Sequence, residues 1–95
     1  MRRYRLSRLA EADLRRIWKH GYVQWGENQA DIYYQKLIDR FEELAETPHL
    51  YPSVNHIRKG YRKSVCGVDT IYYRITESGV EIMRILGRQD IKDWL

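Results

Sequence analysis

The sequence is poor in the residues that build disulfide-rich, membrane-spanning and phosphate-binding proteins. Its 95 residues include one cysteine and two prolines, and no apolar run exceeds three or four residues. A single cysteine excludes an internal disulfide framework and a zinc site built on cysteines alone, and the short apolar runs exclude a membrane-spanning helix. The six glycines are scattered, so no glycine-rich loop is present to bind a nucleotide cofactor.

The length and composition predict a single domain over residues 1–95. About 43% of the residues are apolar, and a domain of this size buries roughly 65% of its unfolded surface, enough for a core without covalent cross-links. The N-terminus is basic and leads directly into charged residues, without the apolar segment of a signal peptide. We therefore expect a soluble, cytoplasmic protein with no membrane partner.

Positive charge is concentrated in two segments. The 17 lysines and arginines exceed the 13 acidic residues by four. Residues 1–10 and 48–63 each carry four basic side chains and no acidic one, whereas residues 11–47 carry more acidic than basic side chains. This distribution fits an anionic partner, either nucleic acid or an acidic protein segment. Ordinary solubility is the alternative explanation.

The first half of the chain predicts a short strand and two helices. Tyr4-Arg5-Leu6 alternates as a strand does, and Ser7 then stands where a helix N-cap belongs. Apolar residues recur at steps of three and four until Gly26, and again from an N-cap at Asn28 to Thr47-Pro48. Because so few residues join the two helices, they are expected to form an antiparallel hairpin.

The second half predicts three strands, because the apolar period changes from 3.6 to 2 after a loop over residues 47–56. These strands cover residues 61–66, 70–76 and 80–86, and residues 90–95 add a helical turn. The resulting order, β-α-α-β-β-β, predicts an α+β domain in which the helical hairpin packs on a small, mainly antiparallel sheet. Residues Ile71, Tyr73 and Ile75 are expected on one face of that sheet.

Catalytic and metal-binding patterns are weak. His20 falls inside the first helix, His49 and His56 fall in the loop, and Cys66 ends a strand with no motif around it. Cys66 is interpreted as a packing residue. The spacing of the histidines matches no zinc motif, so we predict no catalytic residue, no metal and no cofactor.

Aromatic residues are abundant, with eight Tyr, three Trp and one Phe. Most of those on the helices are expected in the core. Further apolar residues flank the two stripes and predict an exposed partner surface on the hairpin. The first set comprises Trp18, Trp25, Tyr33, Tyr34 and Phe41, and the second comprises Tyr22, Val23, Ile32 and Ile38.

The predicted strands also carry arginines, and Arg84 interrupts an otherwise apolar strand. A charge flanked by Ile, Met and Leu is costly to bury, so Arg84 is expected in a wet concavity or against an anion. The alternative is cross-strand pairing with Glu77 or Glu81.

Five segments, in this order, resemble the ParE toxins of the RelE/ParE superfamily over nearly the whole chain. They are Tyr4-x-Leu6-Ser7-x-x-Ala10-x-x-Asp13-Leu14-x-x-Ile17, Trp25-Gly26-x-x-x-Ala30-x-x-Tyr33, Leu37-x-x-x-Phe41-x-x-Leu44-Ala45-x-x-Pro48, Gly60-Tyr61-Arg62 and Arg84-Ile85-Leu86-x-Arg88-Gln89-Asp90.

The resemblance implies the toxin of a type II toxin–antitoxin pair, held in a hetero-oligomer by a ParD-like antitoxin and inhibiting growth by binding DNA gyrase. It implies target contacts by Arg84, Arg88, Gln89, Asp90 and Trp94, and antitoxin contacts by Trp18, Tyr22, Tyr34, Arg62 and Arg74.

Two alternatives remain open at this point. RelE-like relatives cleave messenger RNA on the ribosome, using cations together with a C-terminal Tyr or His. This chain has Gly87 where many relatives have His, and no Tyr or His follows Tyr73. An arginine-only site lacks a group whose pKa suits proton transfer at neutral pH. The other alternative is a basic binding module without toxicity.

Overall fold

Two helices pack against one face of a four-stranded sheet in the computed structural model, which describes residues 3–87. The elements are β1 (Arg3–Leu6), α1 (Arg8–Trp25), α2 (Glu27–Glu46), β2 (Tyr61–Cys66), β3 (Asp69–Thr76) and β4 (Gly79–Leu86). The predicted α+β class and β-α-α-β-β-β order are confirmed. The helical turn predicted at 90–95 lies outside the described residues, and neither helix within residues 3–87 is long and apolar enough to cross a membrane.

The two helices are joined through a single glycine. The Ser7 hydroxyl caps α1 as predicted, because it accepts a hydrogen bond from the Ala10 N–H at 3.0 Å. Gly26, with a φ of +91°, ends α1 and is also the N-cap of α2. The N-cap predicted at Asn28 is wrong, because the Gly26 carbonyl already accepts the first bond of α2 from the Ala30 N–H.

The sheet has the strand order β1-β4-β3-β2. Strands β2, β3 and β4 are antiparallel neighbours, whereas β1 pairs with β4 in parallel, with Tyr4 opposite Val80. Parallel neighbours need a long crossover connection, and here the helical hairpin and the two following strands lie between them in the chain. The first and last strands therefore become neighbours, and both ends of the described chain meet in the sheet.

The core lies between the sheet and the helical hairpin. Ile71 and Tyr73 are fully buried there and Ile75 packs against them, which confirms their predicted common face. The Tyr73 hydroxyl donates to the Pro48 carbonyl at 2.7 Å, and burial raises the pKa of Tyr73 to about 12. Cys66 is also buried in this core, as its interpretation as a packing residue requires.

The expectation that most helix aromatics belong to the core is wrong. Among the five, Phe41 alone is fully buried, while Trp25 is 61% and Tyr34 is 38% exposed. The helices approach each other through small residues, since a Cβ on Gly21 would lie 3.5 Å from Ala30. This close approach leaves little room between the helices, so several large rings lie on the flanks.

Gly79 is required where β1 meets β4, and its replacement should destabilise the fold. A Cβ at this position would lie 1.7 Å from the Arg3 carbonyl oxygen, and the φ of Gly79 is +154°. Gly60 also has a positive φ, of +83°, but nothing lies within 4 Å of its Cβ position. We expect Gly60→Ala to cost about 1 kcal/mol from backbone strain alone. Gly79→Ala should cost about 1–3 kcal/mol more, because β1 must shift.

Urea unfolding followed by circular dichroism measures both variants. Equal losses of stability in the two would contradict the close contact between Gly79 and Arg3.

Candidate functional site

A groove of about 810 Å³ lies between α1, α2 and the end of β1. Three residues predicted to contact an antitoxin, Trp18, Tyr22 and Tyr34, line it together. Leu6 and Leu14 extend its apolar wall, and the charged side chains at its rim are Glu11, Arg15, Lys19 and Asp31. The predicted exposed surface on the hairpin is therefore present, although of its four flanking residues Tyr22 alone lines this groove.

The aromatic wall of the groove is held in place by interactions within the chain. The Trp18 indole N–H donates to the Asp31 carboxylate at 2.9 Å, which ties α1 to α2. The Tyr22 ring stacks on Trp18 with centroids 5.2 Å apart, yet Tyr22 remains 49% exposed. Rings fixed in this way lose little conformational entropy on binding, which favours a binding surface.

The two sheet arginines predicted to contact the antitoxin lie away from the groove. Arg62 donates to the Tyr51 carbonyl at 2.7 Å, beside the loop that precedes β2. Arg74 donates through Nε to Glu81 at 2.9 Å, so the cross-strand pairing considered in the sequence analysis occurs for Arg74. The hydrogen bond from Arg74 lowers the pKa of Glu81, and Arg5 on β1 adds to this effect. Glu81 is thus held between two arginines on the sheet.

Arg84 binds an aspartate of α1, which neither expectation for this residue anticipated. Its Nε lies 2.9 Å and its terminal nitrogen 3.1 Å from the two carboxylate oxygens of Asp13. Asp13 is 4% exposed, and it also accepts from the Ile85 backbone N–H at 2.9 Å. Arg16, one turn along α1, donates to the Ile85 carbonyl at 3.1 Å.

These side chains replace strand pairing at the end of β4. Strand β1 ends at Leu6, opposite Ile82, and the chain then turns into α1. The Ser7 hydroxyl donates to the Met83 carbonyl, and Asp13 and Arg16 bind the backbone of Ile85. The edge of β4 therefore stays hydrogen-bonded although β1 does not reach it.

Sequence reasoning about individual side chains missed the role of Asp13. Two signals could have found it. Asp13 falls on the apolar stripe of α1, beside Leu14 and one turn before Ile17, and Arg84 interrupts the apolar β4. Two buried positions of opposite charge on different elements predict an ion pair, because an unpaired buried charge is costly.

The remaining target-contact candidates Arg88, Gln89, Asp90 and Trp94 lie outside the described residues. Within residues 3–87, no group of three His, Cys, Asp or Glu side chains is arranged to hold a metal ion. Burial raises the pKa of the Cys66 thiol, which disfavours the reactive thiolate.

Comparison with known proteins identifies the family. A family model described as the ParE toxin of the type II toxin–antitoxin system parDE matches residues 4–92. "Toxin ParE1" of Mycobacterium tuberculosis is 38% identical over 85 residues, covering 88% of this chain and 87% of that protein. "Toxin ParE1" of Caulobacter vibrioides is 40% identical over 86 residues, covering 90% and 88%.

A solved structure shares the fold. The chain in "Chromosomal ParDE TA system from P. aeruginosa" superposes with a TM-score of 0.79 at 21% sequence identity. The match covers 92% of this chain and 96% of that one.

Replacing Asp13 should destabilise the protein by leaving Arg84 without its carboxylate partner. We expect Asp13→Asn to lower the free energy of unfolding by about 2–3 kcal/mol, because Arg84 is only partly exposed and cannot regain full hydration. Asp39→Asn, on the exposed side of α2, is the matched control and should change stability by less than about 0.5 kcal/mol. Chemical denaturation measures both, and equal stabilities would contradict the role assigned to Asp13.

Proposed function

This chain belongs to the ParE toxin family and is the toxin of a type II toxin–antitoxin system; we propose that it acts by binding DNA gyrase and catalyses no reaction itself. Gyrase is the target that the resemblance to ParE toxins implies. A ParD-like antitoxin neutralises the toxin by binding it. The parDE name of the matching family and the ParDE system in which the fold recurs support this partner.

The arrangement of the sheet arginines supports a binding function over RNA cleavage. Metal-free RNA cleavage needs cations on the phosphate and a group that transfers protons at neutral pH. Arg62, Arg74 and Arg84 instead each bind an acceptor of the protein, and the three acceptors are separate: the Tyr51 carbonyl, Glu81 and Asp13.

The sheet tyrosines give the same indication. Tyr72 and Tyr73 are buried, and burial raises the pKa of each above the ordinary value of 10.0. Such groups are poorly matched to proton transfer at neutral pH.

The groove at Trp18, Tyr22 and Tyr34 is the proposed antitoxin site, and it is the observation that carries this part of the proposal. It presents a pre-organised aromatic wall with a charged rim, which suits an amphipathic helix that buries its apolar side chains. Aromatic residues in such positions are the commonest source of binding energy between proteins.

An assay with purified proteins tests the proposed target. We expect the toxin to inhibit DNA supercoiling by gyrase while an RNA template in a translating extract stays intact. A variant ending at Gly87 removes Arg88, Gln89, Asp90 and Trp94, and it should lose the inhibition yet keep its affinity for the antitoxin. Retained antitoxin binding then reports that the shortened chain is folded.

Three outcomes contradict the proposal. Transcripts cut at codons in the translating extract would favour the ribonuclease, and expression without any growth defect would favour a non-toxic binding module. Parallel loss of gyrase inhibition and antitoxin binding on truncation would overturn the assignment of target contacts to residues 88–94.

Adjacent residues on α1 provide a matched test of the groove. Tyr22 is 49% exposed in the groove, whereas Val23 is 70% exposed outside it. We expect Tyr22→Ala to weaken binding of the antitoxin, taken as the protein encoded in the neighbouring reading frame, by roughly 30-fold or more. Val23→Ala should change it less than about threefold. Calorimetric titration gives both constants, and similar values for the two variants would exclude the groove as the antitoxin site.

A further inference from the structure

The open edge of β1 is the feature that the proposed function has not yet used. A sheet has two edges, and an edge strand presents backbone N–H and C=O groups that can pair with another chain. In this sheet the edge strands are β1 and β2. Their outer sides differ greatly in how far they are covered.

The outer side of β2 is covered over most of its length. Pro52 and Val54 form backbone hydrogen bonds with Lys63 and Tyr61, at 3.1 and 2.8 Å. Arg40 of α2 then reaches the Val65 carbonyl at 2.8 Å. The loop before β2 and a helix side chain thus occupy the places where a further strand would pair.

The outer side of β1 has no such cover among residues 3–87. Backbone groups point alternately to the two sides of a strand, and the N–H groups of Arg3 and Ser7 donate to β4. The N–H groups of Tyr4 and Leu6 therefore point away from β4. No strand within the described part of the chain lies on that side.

The two faces of β1 predict the chemistry of a segment that pairs there. Leu6 lines the antitoxin groove, so a strand beside β1 would continue the interface directly from the groove. On the same face, Tyr4 packs against Phe41, with ring centroids 5.4 Å apart. On the opposite face Arg3 is exposed, and the Arg5 side chain is 79% exposed.

We propose that an extended segment of the antitoxin pairs with the outer edge of β1 as a fifth strand, continuous with the helix in the groove. The segment has about four or five residues, which matches the length of β1 at about 3.3 Å per residue. Its apolar side chains face Tyr4 and Leu6, and its acidic side chains face Arg3 and Arg5. This inference rests on the proposed antitoxin function of the groove.

Charge argues against a second copy of this chain as the occupant. Pairing β1 with β1 would bring the arginines of one copy beside the arginines of the other, and like charges on neighbouring strands are destabilising. An acidic segment instead gains from Arg3 and Arg5 without such repulsion.

Two variants of Leu6 separate the backbone contact from the side-chain contact. Leu6→Ala removes the side chain from the groove and keeps the N–H. Leu6→Pro removes the side chain and the outward N–H, while Ser7 and Arg5 keep their bonds to β4. Proline is tolerated at such an outward position of an edge strand.

We expect Leu6→Pro to bind the protein from the neighbouring reading frame about tenfold more weakly than Leu6→Ala does, for the lost hydrogen bond and the blocked edge. Affinities of the two variants within twofold of each other would overturn the pairing at β1. The Tyr22→Ala result tests the groove separately, so failure of the strand is distinguishable from failure of the proposed function.

Amide hydrogen exchange on the unmodified chain gives a second test that does not depend on a variant that folds. The Leu6 amide should exchange rapidly in the free toxin and at least tenfold more slowly in the complex. Unchanged exchange in the complex would overturn the proposal. Protection that grows with toxin concentration in the absence of the antitoxin would do the same, in favour of a second copy.

Discussion

The carboxylate of Asp13 connects the first helix to the last strand of the sheet. It is almost completely buried, and it binds both the Arg84 guanidinium and the Ile85 N–H, more than 70 residues away in the chain. A buried carboxylate is tolerated only when it is paired and hydrogen-bonded. The position of α1 relative to β4 is therefore narrowly defined, since a displaced helix would leave both charges without partners.

This connection compensates for the shortness of β1. The strand has four residues, whereas β4 has eight, so half of the edge of β4 would otherwise face outward. Side chains from the cap and first two turns of α1 bind the backbone of β4 beyond the end of β1. The turn of the chain from strand into helix at Ser7 thus costs few hydrogen bonds, and it places α1 directly on the sheet.

The same arrangement decides which surfaces are available to partners. Because the helices meet through Gly21 and Ala30, the rings of Trp18 and Tyr22 lie on the flank of α1, next to the end of β1. The arginines of the sheet, in contrast, are occupied by acceptors within the protein. Apolar contact at the groove and main-chain pairing at β1 are therefore more accessible to a partner than a cluster of cations is.

Local signals in the sequence determined the elements and their order. The period of apolar residues, the cap at Ser7, the glycine at 26 and Thr47-Pro48 depend on neighbouring residues alone, and the helices and strands lie within a residue or two of the prediction. Motifs spread over nearly the whole chain also indicated the family. Tyr22 and the flank of α1 could be proposed as a partner surface from the same helical periodicity.

The tertiary structure alone decided which charges meet and which rings stay exposed. Arg84 pairs with Asp13, and Arg74 with Glu81, because the parallel insertion of β1 beside β4 fixes where α1 begins. Trp25 and Tyr34 remain exposed because the distance between the helices is set by their smallest residues. Such outcomes depend on contacts between elements distant in sequence, and the period of a single element contains no information about them.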